Sequence, residues 1–169
     1  LNATAVANTA LGWNAAYSNT TGAFNVAIGY QSLASNTTAS QNTAVGYQAG
    51  YSNTTGISLA HFGYQAGRSN TTGDDNSFFG RSSGYSTTTG NYNTGIGRSA
   101  LALNTTASNN TAVGYQAGYS ATTSGLNTFI GAKAGYSSTG NYNTFVGHGT
   151  IAGTGDFGSG QLMTTGSKN

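Results

Sequence analysis

Several residue types that ordinary soluble domains use freely are scarce or absent in this chain. Among 169 residues there are no Cys and no Pro, one Met and one Trp, and the four charged residue types together make up 5%. A typical soluble domain carries about 25% charged residues. The lack of Cys fits many bacterial-surface and virion proteins but fixes no compartment. With so little charge, Asn, Ser, Thr and Gln must solvate the surface, and we expect partner chains to cover part of it.

The composition also argues against several classes of protein. Five scattered basic residues and a net charge of +2 give no electrostatic footprint for nucleic acid. No run of about 18 apolar residues is present, so no transmembrane helix is predicted. The 11 Tyr and 7 Phe favour strands and argue against a disordered chain. The sequence starts and stops inside a repeat, without an initiator Met or a signal-peptide pattern, so we expect a fragment of a longer protein.

A 17-residue unit repeats along the chain. The segment Asn42-Thr-Ala-Val-Gly-Tyr-Gln-Ala-Gly50 returns almost unchanged at Asn110–Gly118. Units aligned on this segment follow one another at a constant spacing, except that the last step is one residue shorter. They start at Asn8, Asn25, Asn42, Leu59, Asn76, Asn93, Asn110, Asn127 and Asn143, and this first residue is called position 1. A fixed period of this length predicts a solenoid in which each unit forms one coil.

Two adjacent positions are constrained in all nine units. Position 4 is always apolar, and we interpret it as a core layer. Position 5 is always Gly, which predicts a turn with positive φ or with no room for a Cβ atom. These structural turn glycines are Gly12, Gly29, Gly46, Gly63, Gly80, Gly97, Gly114, Gly131 and Gly147.

The remaining positions of the unit predict strands and a loop. We expect one strand at positions 1–4, a second at positions 6–10, and a polar loop where positions 11–15 read Ser-Asn-Thr-Thr-Gly or close to it. Frequent Gly and the lack of a 3.6-residue apolar period argue against helices. Nine coils stacked about 4.8 Å apart would form a rod of roughly 45 Å. The predicted fold class is therefore all-β, a parallel β-solenoid or β-roll of 17-residue coils.

Stacked coils place equal positions above one another, so side chains should form columns. Asn at position 1 predicts a structural ladder of amide hydrogen bonds between coils. The ladder residues are Asn8, Asn25, Asn42, Asn76, Asn93, Asn110, Asn127 and Asn143. Leu59 interrupts this ladder, in the unit that also carries the unusual His61 at position 3.

Position 6 forms a second column, whose composition indicates exposure. It carries Trp13, Tyr30, Tyr47, Tyr64, Arg81, Arg98, Tyr115, Ala132 and His148. Two arginines in successive coils would be costly if buried without partners, so the column should face solvent or a partly open interface. The candidate ligand-binding residues are Trp13, Tyr30, Tyr47, Tyr64 and Tyr115, since exposed rings are enriched at interfaces. The alternative is that these rings pack only against one another or against a neighbouring chain.

Positions 9 and 10 exchange their volumes in two units. Most units carry a small residue at position 9 and a large one at position 10, as in Gly50-Tyr51. Leu33-Ala34 and Leu101-Ala102 reverse this order. Because neighbouring residues of a strand face opposite sides, the reversal predicts different packing at those two levels.

The regular pattern ends near residue 147. After Gly147 the segment Ile151–Asp156 resembles an inserted loop, and Leu162–Asn169 returns to the repeat. We therefore expect a repeat array at 1–147, an irregular insertion at 148–157 and a truncated return to the repeat register at 158–169.

Residues suited to catalysis or metal binding are few and dispersed. The acids are Asp74, Asp75 and Asp156, and the histidines are His61 and His148. They indicate neither a Ser–His–acid arrangement nor the paired carboxylates of a glycosidase. Asp74 and Asp75 also lack the repeated acidic spacing of calcium motifs. We predict no enzyme activity, no catalytic residue, no metal and no cofactor.

The unit resembles a known family of repeats. Asn25-Val-Ala-Ile-Gly-Tyr-Gln-Ser-Leu-Ala34 is similar to the head repeat of trimeric autotransporter adhesins, and Thr164-Thr-Gly-Ser-Lys-Asn169 resembles repeats of phage tail fibres and related bacterial trimeric fibres. The resemblance covers nearly the whole chain and implies a left-handed parallel β-roll with three chains side by side. The unit here is longer, with the extra residues in the Ser-Asn-Thr-Thr-Gly loop, and it prefers Thr to Val at position 2.

Three hypotheses about function follow. The first is a structural and adhesive segment of an extracellular homotrimeric fibre on a bacterial surface or virion, with a cell-surface glycan or protein as the receptor. The second is a lectin-like module that grips a glycan with Trp13 and the tyrosines of position 6. The third and most distant is an ice-binding solenoid, ranked low because adjacent Thr residues lie in the loop rather than on one flat strand face.

Overall fold

The computed structural model describes residues 6–149 and 162–164, and these form a parallel β-solenoid. Each coil contributes one strand of three residues. The strands are β1 (Thr9–Leu11), β2 (Val26–Ile28), β3 (Thr43–Val45), β4 (Ala60–Phe62), β5 (Ser77–Phe79), β6 (Thr94–Ile96), β7 (Thr111–Val113), β8 (Thr128–Ile130), β9 (Thr144–Val146) and β10 (Leu162–Thr164). The nine strands β1 to β9 bound eight complete coils. The predicted all-β solenoid with one coil per repeat unit is confirmed.

All ten strands lie in one parallel sheet in chain order. Equal positions pair throughout, so that Ala27 lies opposite Ala44. The register is kept between β8 and β9, where Thr128 pairs with Thr144 although that coil is one residue shorter. β10 joins the edge of the sheet with Leu162 opposite Thr144. The predicted insertion at 148–157 and return at 158–169 lie for the most part outside the described residues.

The second strand predicted at positions 6–10 is wrong, because this segment is a turn. Its backbone is left-handed at positions 7 and 9, as at Gln48 (φ 51°) and Gly50 (φ 58°). Such residues curl the chain instead of extending it. The turn nevertheless bonds from coil to coil, since the N–H of Gln48 donates to the carbonyl of Tyr30 at 2.8 Å and that of Gly50 to Ala66 at 2.9 Å. A parallel backbone ladder therefore continues outside the sheet.

Position 5 is Gly because of both its backbone angle and its surroundings. Its φ lies between 122° and 137° in all nine units, whereas positions 7, 9 and 17 have φ between 48° and 64°. Residues other than Gly reach the second range at some cost, but the first is essentially restricted to Gly. A Cβ atom on Gly46 would also lie 2.4 Å from the carbonyl oxygen of Gly63 in the next coil. Position 5 is therefore invariant while the other turn positions vary.

The interior is built on position 3, not on position 4 as predicted. Position 3 is buried from Ala27 onward and includes the fully enclosed rings of Phe78 and Phe129. Position 4 points to the opposite face of the same strand, because alternate residues of a strand face opposite sides. The uniform apolar character of position 4 suggested a core, while the mixture of Ala, His, Phe and Gly at position 3 concealed the real one.

Positions 3 and 9 share the interior space of a coil. A Cβ atom on Gly84 would lie 2.4 Å from the ring of Phe78, so this ring leaves no room for a side chain at position 9 of its coil. Conversely, Leu101 fills the interior from position 9 in the coil that has Gly95 at position 3. Leu33 is buried in the same way. The exchange of volumes at positions 9 and 10 thus moves the bulky side chain from the outside of the coil to the inside.

Candidate functional site

The outer face of the sheet carries an apolar column along the strands β1 to β9. This strand stripe consists of the position-4 side chains Leu11, Ile28, Val45, Phe62, Phe79, Ile96, Val113, Ile130 and Val146. Six of them are exposed, from 36% at Val113 to 66% at Leu11, and the other three are half-buried. The rings of Phe62 and Phe79 stack with their centroids 5.0 Å apart. A continuous exposed apolar surface of this kind marks an interaction site.

The position-6 side chains form a ring column, and all of them except the half-buried Ala132 are exposed, as predicted. Centroid distances are 4.9 Å from Trp13 to Tyr30, 5.2 Å from Tyr30 to Tyr47 and 5.1 Å from Tyr47 to Tyr64. The stack continues with the guanidinium of Arg81, which lies 5.6 Å from the ring centroid of Tyr64. Arg98 makes the same cation–π contact with Tyr115, so the pair of arginines is stacked on a tyrosine at each end.

Stacking restricts what the ring column can bind. Each ring from Tyr30 to Tyr64 has a neighbour on both faces, so a sugar ring cannot enter between them and meets only their edges. Tyr115 is different, because Arg98 covers one of its faces at 5.7 Å while the next coil carries Ala132 at this position. Trp13 has a stacked ring on one face only, that of Tyr30, so a lectin-like module built on this column would depend on Trp13, on Tyr115 and on ring edges.

The Asn residues of position 1, all buried except the half-buried Asn8, hold the coils together. The Oδ1 atom of Asn42 accepts the N–H of Leu59 in the next coil at 3.0 Å, and its Nδ2 donates to the carbonyl of Gly56 in its own coil at 2.9 Å. Direct bonds between side-chain amides occur from Asn93 to Asn76 at 3.1 Å, among others. The ladder thus runs mainly from side chain to backbone. Leu59 has no amide oxygen to offer the coil that follows it.

A second amide ladder lies at position 12, within the segment predicted to be a polar loop. Asn19, Asn36, Asn53 and Asn70 are all buried. The Nδ2 of each later residue donates to the Oδ1 of the one before, at 3.1 to 3.2 Å. The Ser-Asn-Thr-Thr-Gly sequence resembles a turn, and this similarity hid the ladder, although Asn recurs there as it does at position 1. These residues serve the fold and not a ligand.

His61 and Asp74 have surroundings that indicate structural roles. His61 is completely buried, its two ring nitrogens have no hydrogen-bond partner, and burial lowers its pKa from 6.5 to about 3. Its ring stacks on Phe78 at 5.3 Å between centroids, so it acts as a neutral packing residue. The Oδ1 of Asp74 accepts the N–H of Ile57 at 2.8 Å. Within the described part of the chain, no group of three or more His, Cys, Asp or Glu could hold a metal ion.

Neither a membrane-spanning helix in the described coils nor a similar known protein indicates what the strand stripe and the ring column do. None of the described residues belongs to a helix long and apolar enough to cross a membrane. Comparison of the chain with protein-family models, curated proteins and solved structures finds no match. A function for the strand stripe and the ring column therefore has to be argued from their geometry and chemistry.

Proposed function

We propose that this chain is a structural and adhesive segment of an extracellular fibre, in which three identical chains associate side by side through their strand stripes. The strand stripe is the observation that carries the proposal. The rod carries apolar side chains on the outer face of nine successive strands, six of them exposed and three half-buried, and association would remove this surface from water.

Identical chains suit the strand stripe better than an unrelated partner does. The stripe repeats at the spacing of the coils, so a second copy would present apolar side chains at the same intervals. None of its nine residues is charged, so apposed copies would bury no unpaired charge at these positions. Three copies and a left-handed coil are what the resemblance to trimeric adhesin heads implies. The low overall charge agrees with a chain partly covered by its partners.

A fibre segment of this kind would hold a receptor-binding surface away from a bacterial surface or virion. Backbone hydrogen bonds join each coil to the next, both along the sheet and through the turns, as an extended spacer requires. The extracellular location rests on the composition and on the resemblance to adhesin and tail-fibre repeats. The receptor class in this proposal is a cell-surface glycan or protein.

Sedimentation equilibrium tests the assembly. The expected mass is three times the chain mass of 17.0 kDa. Ile96→Asp places a charge in the middle of the strand stripe and should shift the mass toward that of one chain, because burying the carboxylate in an apolar contact is costly. Thr106→Asp, at an exposed loop position of the same coil, is the matched control and should retain the wild-type mass. A wild-type chain that stays monomeric at micromolar concentration would contradict the proposal.

A further inference from the structure

A third column of side chains, at position 10, is an interrupted stack. It consists of Tyr17, Ala34, Tyr51, Arg68, Tyr85, Ala102, Tyr119 and Tyr136. The guanidinium of Arg68 lies between two rings, 5.4 Å from the centroid of Tyr51 and 5.8 Å from that of Tyr85. The rings of Tyr119 and Tyr136 lie 5.0 Å apart and almost parallel. Ala34 and Ala102 each leave one level of this stack empty.

The empty level at Ala102 forms a notch with a volume of about 370 Å³. Its lining residues are Gln65, Ser82, Tyr85, Ser86, Ser99, Ala102, Leu103 and Tyr119. Small-molecule sites commonly measure about 300–1,000 Å³. Two coil steps of about 4.8 Å separate Tyr85 from Tyr119, which leaves room for one ring between theirs.

Each of the two tyrosines of the notch has one face without a stacked neighbour, unlike Tyr30, Tyr47 and Tyr64 of the ring column. Arg68 covers one face of Tyr85, and Tyr136 covers one face of Tyr119. The opposite faces meet the notch, where the intervening coil contributes Ser99, Ala102 and Leu103 but no ring at position 10. The notch therefore offers two aromatic faces to one inserted ring, which the ring column does not offer from Trp13 to Tyr64.

We propose that the Ala102 notch binds one pyranose ring of a neutral glycan, held between the faces of Tyr85 and Tyr119. The C–H faces of the sugar would pack on the two rings. Hydroxyl groups of Ser82, Ser86 and Ser99 and the amide of Gln65 line the same notch and can bond to the sugar hydroxyls at its edge.

The chemistry of the lining favours this occupant over two others. None of the eight lining residues is charged, which favours a neutral sugar over an acidic one. An aromatic side chain from a second copy could enter between the tyrosines but would make little use of three hydroxyls and an amide. The inference does not depend on the oligomeric state, because all eight residues belong to one chain.

Saturation-transfer difference NMR on the 169-residue chain tests the site, with the methyl pyranosides of glucose, galactose, mannose and N-acetylglucosamine as probes. We expect saturable binding of at least one probe. Ala102→Tyr fills the empty level and should weaken that binding about tenfold or more, the loss of one well-packed contact. Thr106→Tyr adds the same side chain at an exposed loop position of the same coil, outside the lining of the notch, and should leave the Kd unchanged.

Tyr119→Leu is a second variant, which removes one aromatic face without filling the notch, and it should lose binding to a similar extent. Melting curves of the variants show whether each is folded. Failure of all four probes to bind the wild-type chain would overturn the inference, as would equal binding by wild type and Ala102→Tyr. A change of oligomeric mass in Ala102→Tyr without any effect on sugar binding would assign the notch to a side chain of a second copy.

Discussion

At the residue scale, His61 is an unfavourable side chain in the interior of the described coils. Both of its ring nitrogens are buried without a partner, whereas Phe fills position 3 in the next coil and again at Phe129 and Phe145. Burial lowers the pKa of His61 from 6.5 to about 3. His61 therefore binds a proton at a much lower pH in the folded chain than in the unfolded chain. Its contribution to the free energy of unfolding is greatest above pH 6.5 and falls as the pH drops toward 3.

His61→Phe should stabilise the solenoid and reduce its sensitivity to acid. Gly67 lies against the ring of His61 as Gly84 does against Phe78, so a phenyl ring has the space it needs. Removing the unpartnered nitrogens should add about 1–3 kcal/mol to the free energy of unfolding at pH 7. The difference in free energy of unfolding between His61→Phe and wild type should increase by up to about 1.4 kcal/mol for each pH unit below 6.5.

Thermal melting of the two proteins between pH 7 and pH 4 measures both effects. Other groups that titrate in this range act equally in both and cancel in the difference. His148→Phe makes the same substitution at an exposed site and should change the melting temperature little at pH 7. An identical loss of stability with acid in wild type and His61→Phe would show that His61 does not carry the pH dependence.

Some residue positions of this chain could be assigned a structural role from the sequence, and others could not. The invariant Gly of position 5 could be assigned to a turn, because few backbone conformations demand Gly in every copy. The interior could not be assigned in the same way. Position 3 changes from Ala44 to His61 to Phe78 over three coils because position 9 and the neighbouring coils share the same space. Composition at one position does not reveal a volume that several positions fill together.

At the scale of one element, the position-12 ladder ends within the rod. Thr87 replaces Asn there, which leaves the Oγ1 of Thr87 and the Oδ1 of Asn70 buried without partners. Asn104 resumes the column one coil later and donates to the carbonyl of Ala107 at 3.2 Å. Thr87 therefore separates Asn104 from the four amides before it, and the unpartnered Oδ1 of Asn70 is an acceptor next to this gap.

Thr87→Asn should rejoin the ladder and stabilise the rod. The new Nδ2 can donate to Asn70 Oδ1 and to the carbonyl of Gly90, as Asn53 does to Asn36 and Gly56. Satisfying a buried acceptor should add about 1 kcal/mol, or about 2–4 °C in melting temperature for a chain of this length. Thr89→Asn, at an exposed position of the same coil, is the control and should have little effect. A lower melting temperature for Thr87→Asn would mean that the coil cannot accept the amide.

The elements also show why the periodicity was easier to predict than the strand boundaries. Equal spacing of Asn and Gly was enough to predict one coil per unit. The turn at positions 6–11 could not be distinguished from a strand, because residues such as Leu33 and Gln48 adopt left-handed backbone conformations that their side chains do not favour. Hydrogen bonds to adjacent coils hold these residues in place, and a single unit of sequence does not display those bonds.

At the scale of the whole molecule, the candidate surfaces had different degrees of predictability. The ring column was visible in the sequence because its aromatic residues recur at one position. The strand stripe was visible as a pattern but assigned to the wrong side of the strand. The Ala102 notch was not predicted, since a missing ring becomes a site only when the rings on either side are known to stack.

The sharing of interior space between positions 3 and 9 implies a second, longer period. Leu33 and Leu101, Ala44 and Ala112, and His61 and Phe129 occupy equal positions in units that are four steps apart along the chain. The large interior side chains at positions 3 and 9 therefore follow an order that repeats every four coils. One coil has a leucine, the next is an open level with no large interior side chain, and the following two each have a ring. At the open level a Cβ atom on Gly50 would lie 3.0 Å from Leu33 and 3.1 Å from His61, so the side chains of both neighbouring coils extend into it.

The length of the rod can consequently be changed in steps of four coils but not in steps of one. Removing residues 42–58 would bring Leu33 and His61 into the same space and should destabilise the rod. Removing residues 42–109 joins Gln41 to Asn110 and restores the original order of levels, so this chain should melt closer to wild type although its deletion is four times as long. Melting curves of the two deletions, with the wild-type chain alongside, decide between a period of one coil and a period of four.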